Sequence, residues 1–240
     1  MKTNPFFFLY QWLIAYPLFI LITILVALAT IIFSPIFPNN AISYAPARWW
    51  GKIFFFLFFI KLEKEGFENI DTKQSYIIAA NHQSIIDIFV IYGWLPSIFK
   101  WVMKAELRNV PFIGWACDVA GHIFINRKSP MAAKRSIEKA EKKLVNGVSV
   151  VIFPEGTRTR DGKMAKFKKG AFRIATDLQL PIVPVSLSGF YNRMSRKTFT
   201  VTPGRVKFII HKPIDVKQFM PDNTNELIDT TWKVINDALE

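Results

Sequence analysis

A histidine and an aspartate five positions apart, in Asn81-His82-Gln83-Ser84-Ile85-Ile86-Asp87, are the residues of this chain best suited to move a proton. In such a dyad the carboxylate orients the imidazole, fixes its tautomer and stabilises the imidazolium formed when the ring takes a proton. Along one continuous α-helix the two side chains would point about 140° apart and could not readily touch. The pair therefore requires His82 in a turn and Asp87 in the first turn of the helix that follows. Ser84 suits the N-cap of such a helix, and Asp87 then falls at its third position. The same residues also describe a capping box with His82 as a surface turn residue, and this stretch alone leaves both readings open.

Three further segments stand out. Val150 to Phe153 read as a buried strand running into Pro154-Glu155-Gly156, with Thr157, Arg158 and Arg160 thrown out beyond it and Lys163, Lys166, Lys168 and Lys169 following. A guanidinium fork matches a phosphate bidentately and lysines add point charges, so this loop suits a phosphorylated substrate. The plainer reading is a solvated basic loop. Gly121-His122-Ile123-Phe124-Ile125-Asn126-Arg127 repeats the design, an apolar strand delivering Arg127 to its end. Pro181-Ile182-Val183-Pro184-Val185 begins a strand whose prolines rule out a helix and favour an edge or irregular strand; alone it is structural.

The elements that must position these residues alternate short β-rich runs with amphipathic stretches, the pattern of an α/β sheet covered by helices. Strands are expected over 76–80, 122–125, 148–153, 182–187 and 206–210, and helices over 84–94, 132–145, 170–178 and 225–239. The first strand puts His82 at a strand's C-terminal end, where open α/β sheets keep their active sites. Ser129-Pro130 opens the helix over 132–145 with an N-cap and an N1 proline, and its five basic residues read as a solvated face.

Ahead of this scaffold the composition changes. From Thr3 to Ala47 there is no charged side chain, and Leu13 to Ile36 is almost wholly apolar, long enough to cross the roughly 20 residues' worth of a bilayer core. A second apolar run over 53–60, fenced by Lys52 and Lys61 and preceded by Trp49-Trp50, is too short to span and suits a segment lying among headgroups. Residues 1–61 are thus expected to be membrane-anchoring helices, two of them, joined through Ser34-Pro35 to Pro46. Whether the first spans or folds back into one leaflet stays open. A cleaved signal peptide is the competing reading, and the apolar run's continuation past Ala27-Leu28-Ala29 argues against it. Arg48, Lys52, Lys61 and Lys64 after the apolar region, against Lys2 before it, place the rest of the chain in the cytoplasm. The single cysteine, Cys117, precludes an intramolecular disulfide and fits a reducing compartment; no metal-ligand spacing is visible.

Taken in order, these segments resemble the glycerolipid acyltransferase family, most closely its bacterial 1-acylglycerol-3-phosphate acyltransferases. Asn81-His82 to Asp87 looks like the family's H-x-x-x-x-D motif, Gly121 to Arg127 like its second, Phe153-Pro154-Glu155-Gly156-Thr157-Arg158 like its third and Pro181 to Val185 like its fourth. The resemblance covers roughly residues 60–210, and the chain departs from none of the family's essential residues. It implies an α/β fold with a mixed, largely parallel sheet flanked by helices, an acyltransferase domain over 62–240, and an N-terminal membrane-embedded helix pair. It implies His82 as general base and Asp87 as its orienting partner. Lys104, Arg127, Glu155, Gly156, Thr157 and Arg158 would bind the acceptor's phosphate and glycerol, with Glu155 either holding Arg158 or touching a substrate hydroxyl. The implied reaction moves an acyl group from acyl-CoA or acyl carrier protein to lysophosphatidic acid at the cytoplasmic (inner) membrane, with no metal and no cofactor beyond that co-substrate. The phospholipid acceptor's hydroxyl is the nucleophile, so no covalent acyl-enzyme is needed.

Three rivals remain. The same chemistry suits glycerol 3-phosphate, another lysophospholipid or a lyso-aminolipid. A membrane esterase would want a Gly-x-Ser-x-Gly elbow, which the sequence lacks. The net charge of +13 and pI near 9.8 invite a nucleic-acid partner. Yet all 18 acidic residues lie in the same part of the chain as the basic ones and no nucleic-acid motif is visible, so none is expected.

Overall fold

The computed structural model describes residues 4–126, 147–194, 198–220 and 223–239; Arg127 and the helix expected over 132–145 lie outside them. The amino-terminal apolar run forms one rod: α1 (Pro5–Tyr10), a π-helical turn over Gln11–Ala15, and α2 (Tyr16–Ile36). By length and composition Pro5–Ile36 can cross a membrane. Its apolar side chains go all round, and Leu21, Leu25, Ile32 and Ile36 face outward while Phe19, Ala27 and Thr30 pack inward.

The joint to the next helix is shorter than the prolines suggest. Pro35 sits in the last turn of α2, and Asn40 already caps α3 (Ala41–Leu57) by accepting the Ile42 N–H at 2.9 Å, so Pro46 lies inside that helix. The run over 53–60 also behaves differently from a headgroup segment. Phe54, Phe55, Leu57, Phe58 and Ile60 are buried, and Phe56 and Phe59 are the exposed members. The reason is helical spacing: one face of α3 is pressed onto α4 (Ile86–Trp94), with Gly51 so close that a Cβ there would meet the Phe89 carbonyl at 2.2 Å. Phe54 stacks on Phe89 with ring centroids 4.0 Å apart. α3 therefore shares its hydrophobic core with the sheet.

Among the described residues seven strands form that sheet: β1 (Ile60–Glu65), β2 (Ile77–Ala80), β3 (Phe99–Lys104), β4 (Ile123–Ile125), β5 (Ser149–Ile152), β6 (Ile182–Ser188) and β7 (Gly204–Ile210), in the spatial order β1-β7-β6-β2-β5-β3-β4. Every pairing is parallel except β6 with β7, so the sheet is mixed and largely parallel. β2 and β5 are buried along their whole length, as central parallel strands covered on both faces must be. Ile78, Ala80 and Val151 face α2, α3 and α4, while Ile77, Ala79, Val150 and Ile152 face α6 (Lys169–Asp177) and α7 (Thr224–Asn236); α5 (Ile113–Val119) lies between β3 and β4 in the chain.

The proline-bearing strand β6 is interior, between β7 and β2, and not at an edge. Pro184 is tolerated because the antiparallel ladder with β7 begins only at Val185 opposite Ile210, so its missing N–H falls where that neighbour has ended. Its carbonyl accepts the His211 N–H at 3.0 Å. β1 and β3 were not expected from sequence. β1 reads Ile-Lys-Leu-Glu-Lys-Glu, an edge strand whose charges mask its alternation, and β3 carries Lys100, which is buried and donates to the Ala120 carbonyl.

Candidate active site

Parallel pairing has a direct consequence: β2, β5, β3 and β4 all end on the same edge of the sheet. His82 follows β2, Lys104 closes β3, Arg127 comes two residues after β4, and Glu155 to Arg158 follow β5. His82, Lys104 and the turn after β5, distant in sequence, thus meet at the edge where α/β sheets carry their chemistry.

His82 lies in the irregular segment between β2 and α4, and Asp87 lies in that helix's first turn, fully buried. The His82 Nδ1 is 2.8 Å from Asp87 Oδ2. That oxygen also accepts the backbone N–H groups of Gln83 and Ser84 at 2.7 and 2.8 Å. The two side chains of the dyad thus meet, while of the capping reading only the carboxylate's bond to the Ser84 N–H is present: the helix begins at Ile86 behind Ile85, without a side-chain cap. Asp87 supplies its half of the capping box, while Ser84 Oγ only approaches the Ile86 N–H at 3.4 Å. A carboxylate can only accept, so Nδ1 carries the proton and Nε2 keeps its lone pair. Gln83 and Ser84 have their N–H groups committed to Asp87, which removes them as donors to a developing oxyanion at the helix start.

Several long-range contacts lock the His82 turn. The preceding Asn81 is buried and brackets the backbone of Leu187 in β6, accepting its N–H at 2.7 Å and donating to its carbonyl at 3.0 Å. The His82 N–H donates to Glu155 Oε1 at 2.7 Å, and the His82 carbonyl accepts the Thr159 N–H at 2.9 Å. Phe153 stacks flat on the imidazole at 3.8 Å and 7°, and Trp101 lies beneath Phe153 at 5.3 Å. One face of the ring is thereby covered, and the side chain stays 14% exposed.

Glu155 is the sequence-selected residue whose surroundings differ most from expectation. It is 3% exposed, and its second oxygen, Oε2, accepts the Ala165 N–H at 2.8 Å. Both oxygens thus hold backbone, neither Arg158 nor open space. Burial pushes its carboxyl above the usual range, partly offset by the two N–H donors. Gly156 turns the chain at φ 75°, a left-handed conformation suited to glycine, and a Cβ there would meet the Lys168 side chain.

A cavity of about 1100 Å³ opens beside this turn. His82, Lys104, Gly156, Thr157 and Arg158 line it, together with apolar residues that include Phe19, Ala27, Phe54 and Phe89. Five of the eight residues singled out from sequence face one space. Asp87 and Glu155 stand behind them, and Arg127 is outside the described residues. Asn81, Phe153 and Trp101 went unrecognised as supports for His82; the apolar run ending in Phe153 was the signal for the ring beneath it.

Residues 61–188 match the family model described as Acyltransferase. The chain is 36% identical over 172 residues to a chloroplastic 1-acyl-sn-glycerol-3-phosphate acyltransferase of Arabidopsis thaliana, covering 70% of this chain and 47% of that protein. It is 35% identical over 177 residues to the mouse (Mus musculus) 1-acyl-sn-glycerol-3-phosphate acyltransferase alpha, covering 73% and 62%. This chain's matches span about half the length of the first of these relatives. The crystal structure of the 1-acyl-sn-glycerophosphate acyltransferase of Thermotoga maritima superposes with a TM-score of 0.78 at 31% identity, over 98% of this chain and 93% of that one.

Proposed function

This chain belongs to the acyltransferase family, and on that premise we propose that it moves a fatty acyl group from acyl-CoA or acyl carrier protein to the sn-2 hydroxyl of 1-acylglycerol 3-phosphate, giving phosphatidic acid. The observation that carries the reading is the His82 ring, held by Asp87 with Nε2 left as the base and placed on the wall of a cavity that also bears Arg158 and Lys104.

His82 Nε2 takes the proton of the acceptor hydroxyl as its oxygen attacks the thioester carbonyl. The C–S bond then breaks, and the imidazolium, stabilised by Asp87, returns the proton to the departing thiolate. Transfer is direct, so both substrates are bound together and their orientation supplies much of the acceleration. Arg158 and Lys104 hold the acceptor's phosphate with charge-assisted hydrogen bonds, and Arg127, from its place after β4, is assigned the same task. Gly156 and Thr157 shape the glycerol side of the turn. Glu155 works at one remove, fixing the backbone on which His82 rides.

The cavity's apolar residues suit a fatty acyl chain. Residues of α2 line it, so the helix that associates the chain with the membrane also walls the lipid site. The enzyme works at the cytoplasmic face of the inner membrane, where a lipid acceptor and a water-soluble donor meet. Purified protein in detergent, given 1-acylglycerol 3-phosphate and a long-chain acyl-CoA or acyl carrier protein, should form phosphatidic acid, and His82→Ala should not. Equal product from His82→Ala would remove His82 as the base. Product with every acceptor regardless of a phosphomonoester would remove the phosphate assignment.

A further inference from the structure

The wall of the cavity beyond Trp101 is not hydrocarbon. Tyr44 on α3, Tyr92 on α4, Trp101 on β3 and His122 at the start of β4 come together there, and all four line the cavity. Each is at least nine-tenths buried. The Tyr92 ring lies 6.0 Å from that of Tyr44 and 5.8 Å from that of Trp101, centroid to centroid.

The backbone N–H of Trp101 donates to His122 Nδ1 at 3.1 Å, so that nitrogen holds a lone pair and, in the neutral ring, Nε2 holds the proton. Nε2 then donates to the Tyr92 hydroxyl oxygen at 2.7 Å, and the Tyr92 proton is left to point elsewhere. The Tyr44 hydroxyl and the Trp101 indole N–H have no hydrogen-bond partner among the described residues. Burial drives the Tyr92 phenol well above its usual range. Cys117, also on this wall, has its thiol pushed up to about 12 by burial and offers only a weak acceptor. The wall therefore keeps unspent hydrogen-bonding capacity in the Tyr44 hydroxyl, the Tyr92 proton and the Trp101 indole N–H. Buried donors without acceptors are costly, and what satisfies them is an oxygen.

We infer that Tyr44, Tyr92 and Trp101 form a polar subsite within the acyl cavity that accepts one oxygen carried along the chain of the fatty acyl substrate, a hydroxyl or carbonyl group. The inference rests on the proposal that this cavity holds the acyl chain. An unsubstituted chain displaces whatever solvent the donors hold and returns no hydrogen bond, whereas an oxygenated chain answers them. The same chemistry could come from a trapped water, which would make the wall a limit on chain length and not a recognition site.

Binding of palmitic acid and of a set of monohydroxylated palmitic acids, with the hydroxyl moved along the chain, to the detergent-solubilised full chain separates these cases by calorimetry. At least one hydroxylated isomer should bind about fivefold more tightly than palmitic acid, the scale of one buried hydrogen bond, and that ratio should fall toward one in both Tyr44→Phe and Tyr92→Phe. Equal binding of all isomers by the wild type would leave only a trapped water and overturn the subsite. So would a preference that survives both substitutions. Failure of every fatty acid to bind would overturn the acyl cavity and this inference together, while leaving the phosphate-dependent acyl acceptor assay to judge the reaction by itself.

Discussion

Two histidines in this molecule each sit within hydrogen-bond distance of a partner that could make a catalytic pair, and they have opposite chemical prospects. His82 Nδ1 faces a carboxylate at 2.8 Å; His211, just past β7, has Nε2 at 2.8 Å from Ser186 Oγ on β6, with Glu65 near enough to influence its charge. By residue type, the second cluster looks more like a nucleophile and its base. The donors say otherwise. Ser186 gives its proton to the Ile235 carbonyl at 3.1 Å, so His211 must be donating to the serine. Ser186 is also fully buried, out of reach of any carbonyl carbon, and the contact pins α7 onto the sheet. His82 has a partner that can only accept, an open ring edge and a cavity in front of it. Which way the hydrogens run, and what the free nitrogen faces, separates the ring proposed as a base from one that serves as a fastener.

The sharpest way to break this comparison is to remove both rings. His82→Ala should lower acyl transfer by about a thousandfold, within the range of a lost general base, while His211→Ala should leave turnover within about twofold. Comparable losses in both would mean that His82 also acts through the fold. Next in size is Arg158→Ala, which removes a charge-assisted contact of about 1.5–3 kcal/mol and should raise the acceptor KM roughly tenfold to a hundredfold with little change in the donor KM. Unchanged acceptor kinetics would take Arg158 out of the site. Glu155→Gln comes third: the amide must turn its NH2 toward one of two backbone N–H donors, His82 or Ala165. A fall in kcat of about tenfold with the acceptor KM nearly constant would mark a positioning residue. A KM effect alone would return Glu155 to the acceptor.

The motif around His82 was legible because both of its readings were local, and the structure joins the dyad and the carboxylate's half of the cap on one oxygen. The mixed, largely parallel sheet followed from short apolar runs alternating with helices, since strands such as β2 and β5 are buried on both faces and read as hydrophobic blocks. β1 and β3 escaped because their lysines and glutamates break any apolar run. Position in the sheet escaped as well: two prolines favoured an edge or irregular strand, yet β6 is interior, with Pro184 tolerated because the ladder with β7 begins only at Val185. Pairings across many residues were beyond reach. Glu155 meets His82 and Ala165, Asn81 meets Leu187, and Tyr44, Tyr92 and Trp101 come from three elements that only the fold assembles. The local sequence points to the groups proposed to react, while their supports depend on which strands lie side by side.

The smallest expected effect tests the fastener in its own terms. Burial holds the His211 imidazole below its ordinary pKa, with Glu65 opposing in part, so the folded state prefers the neutral ring. A depressed folded value means that its contribution to stability is complete above the unfolded value of about 6.5 and is lost as pH falls below that toward the folded value. Protonation also gives both ring nitrogens a hydrogen and leaves the buried Ser186 contact with no gain to offset the added charge. Glu65, whose carboxyl is held below its usual range chiefly by its hydrogen bond to Lys207, titrates in a lower window and should not blur the effect. The thermal midpoint of the wild type in detergent should therefore drop from about pH 7.5 to pH 5 by more than that of His211→Gln, which can still meet Ser186 but cannot take a proton. Parallel curves for the two proteins would show that the His211 ring is as free to charge in the folded chain as in the unfolded one. The contrast with His82 would then rest on position alone.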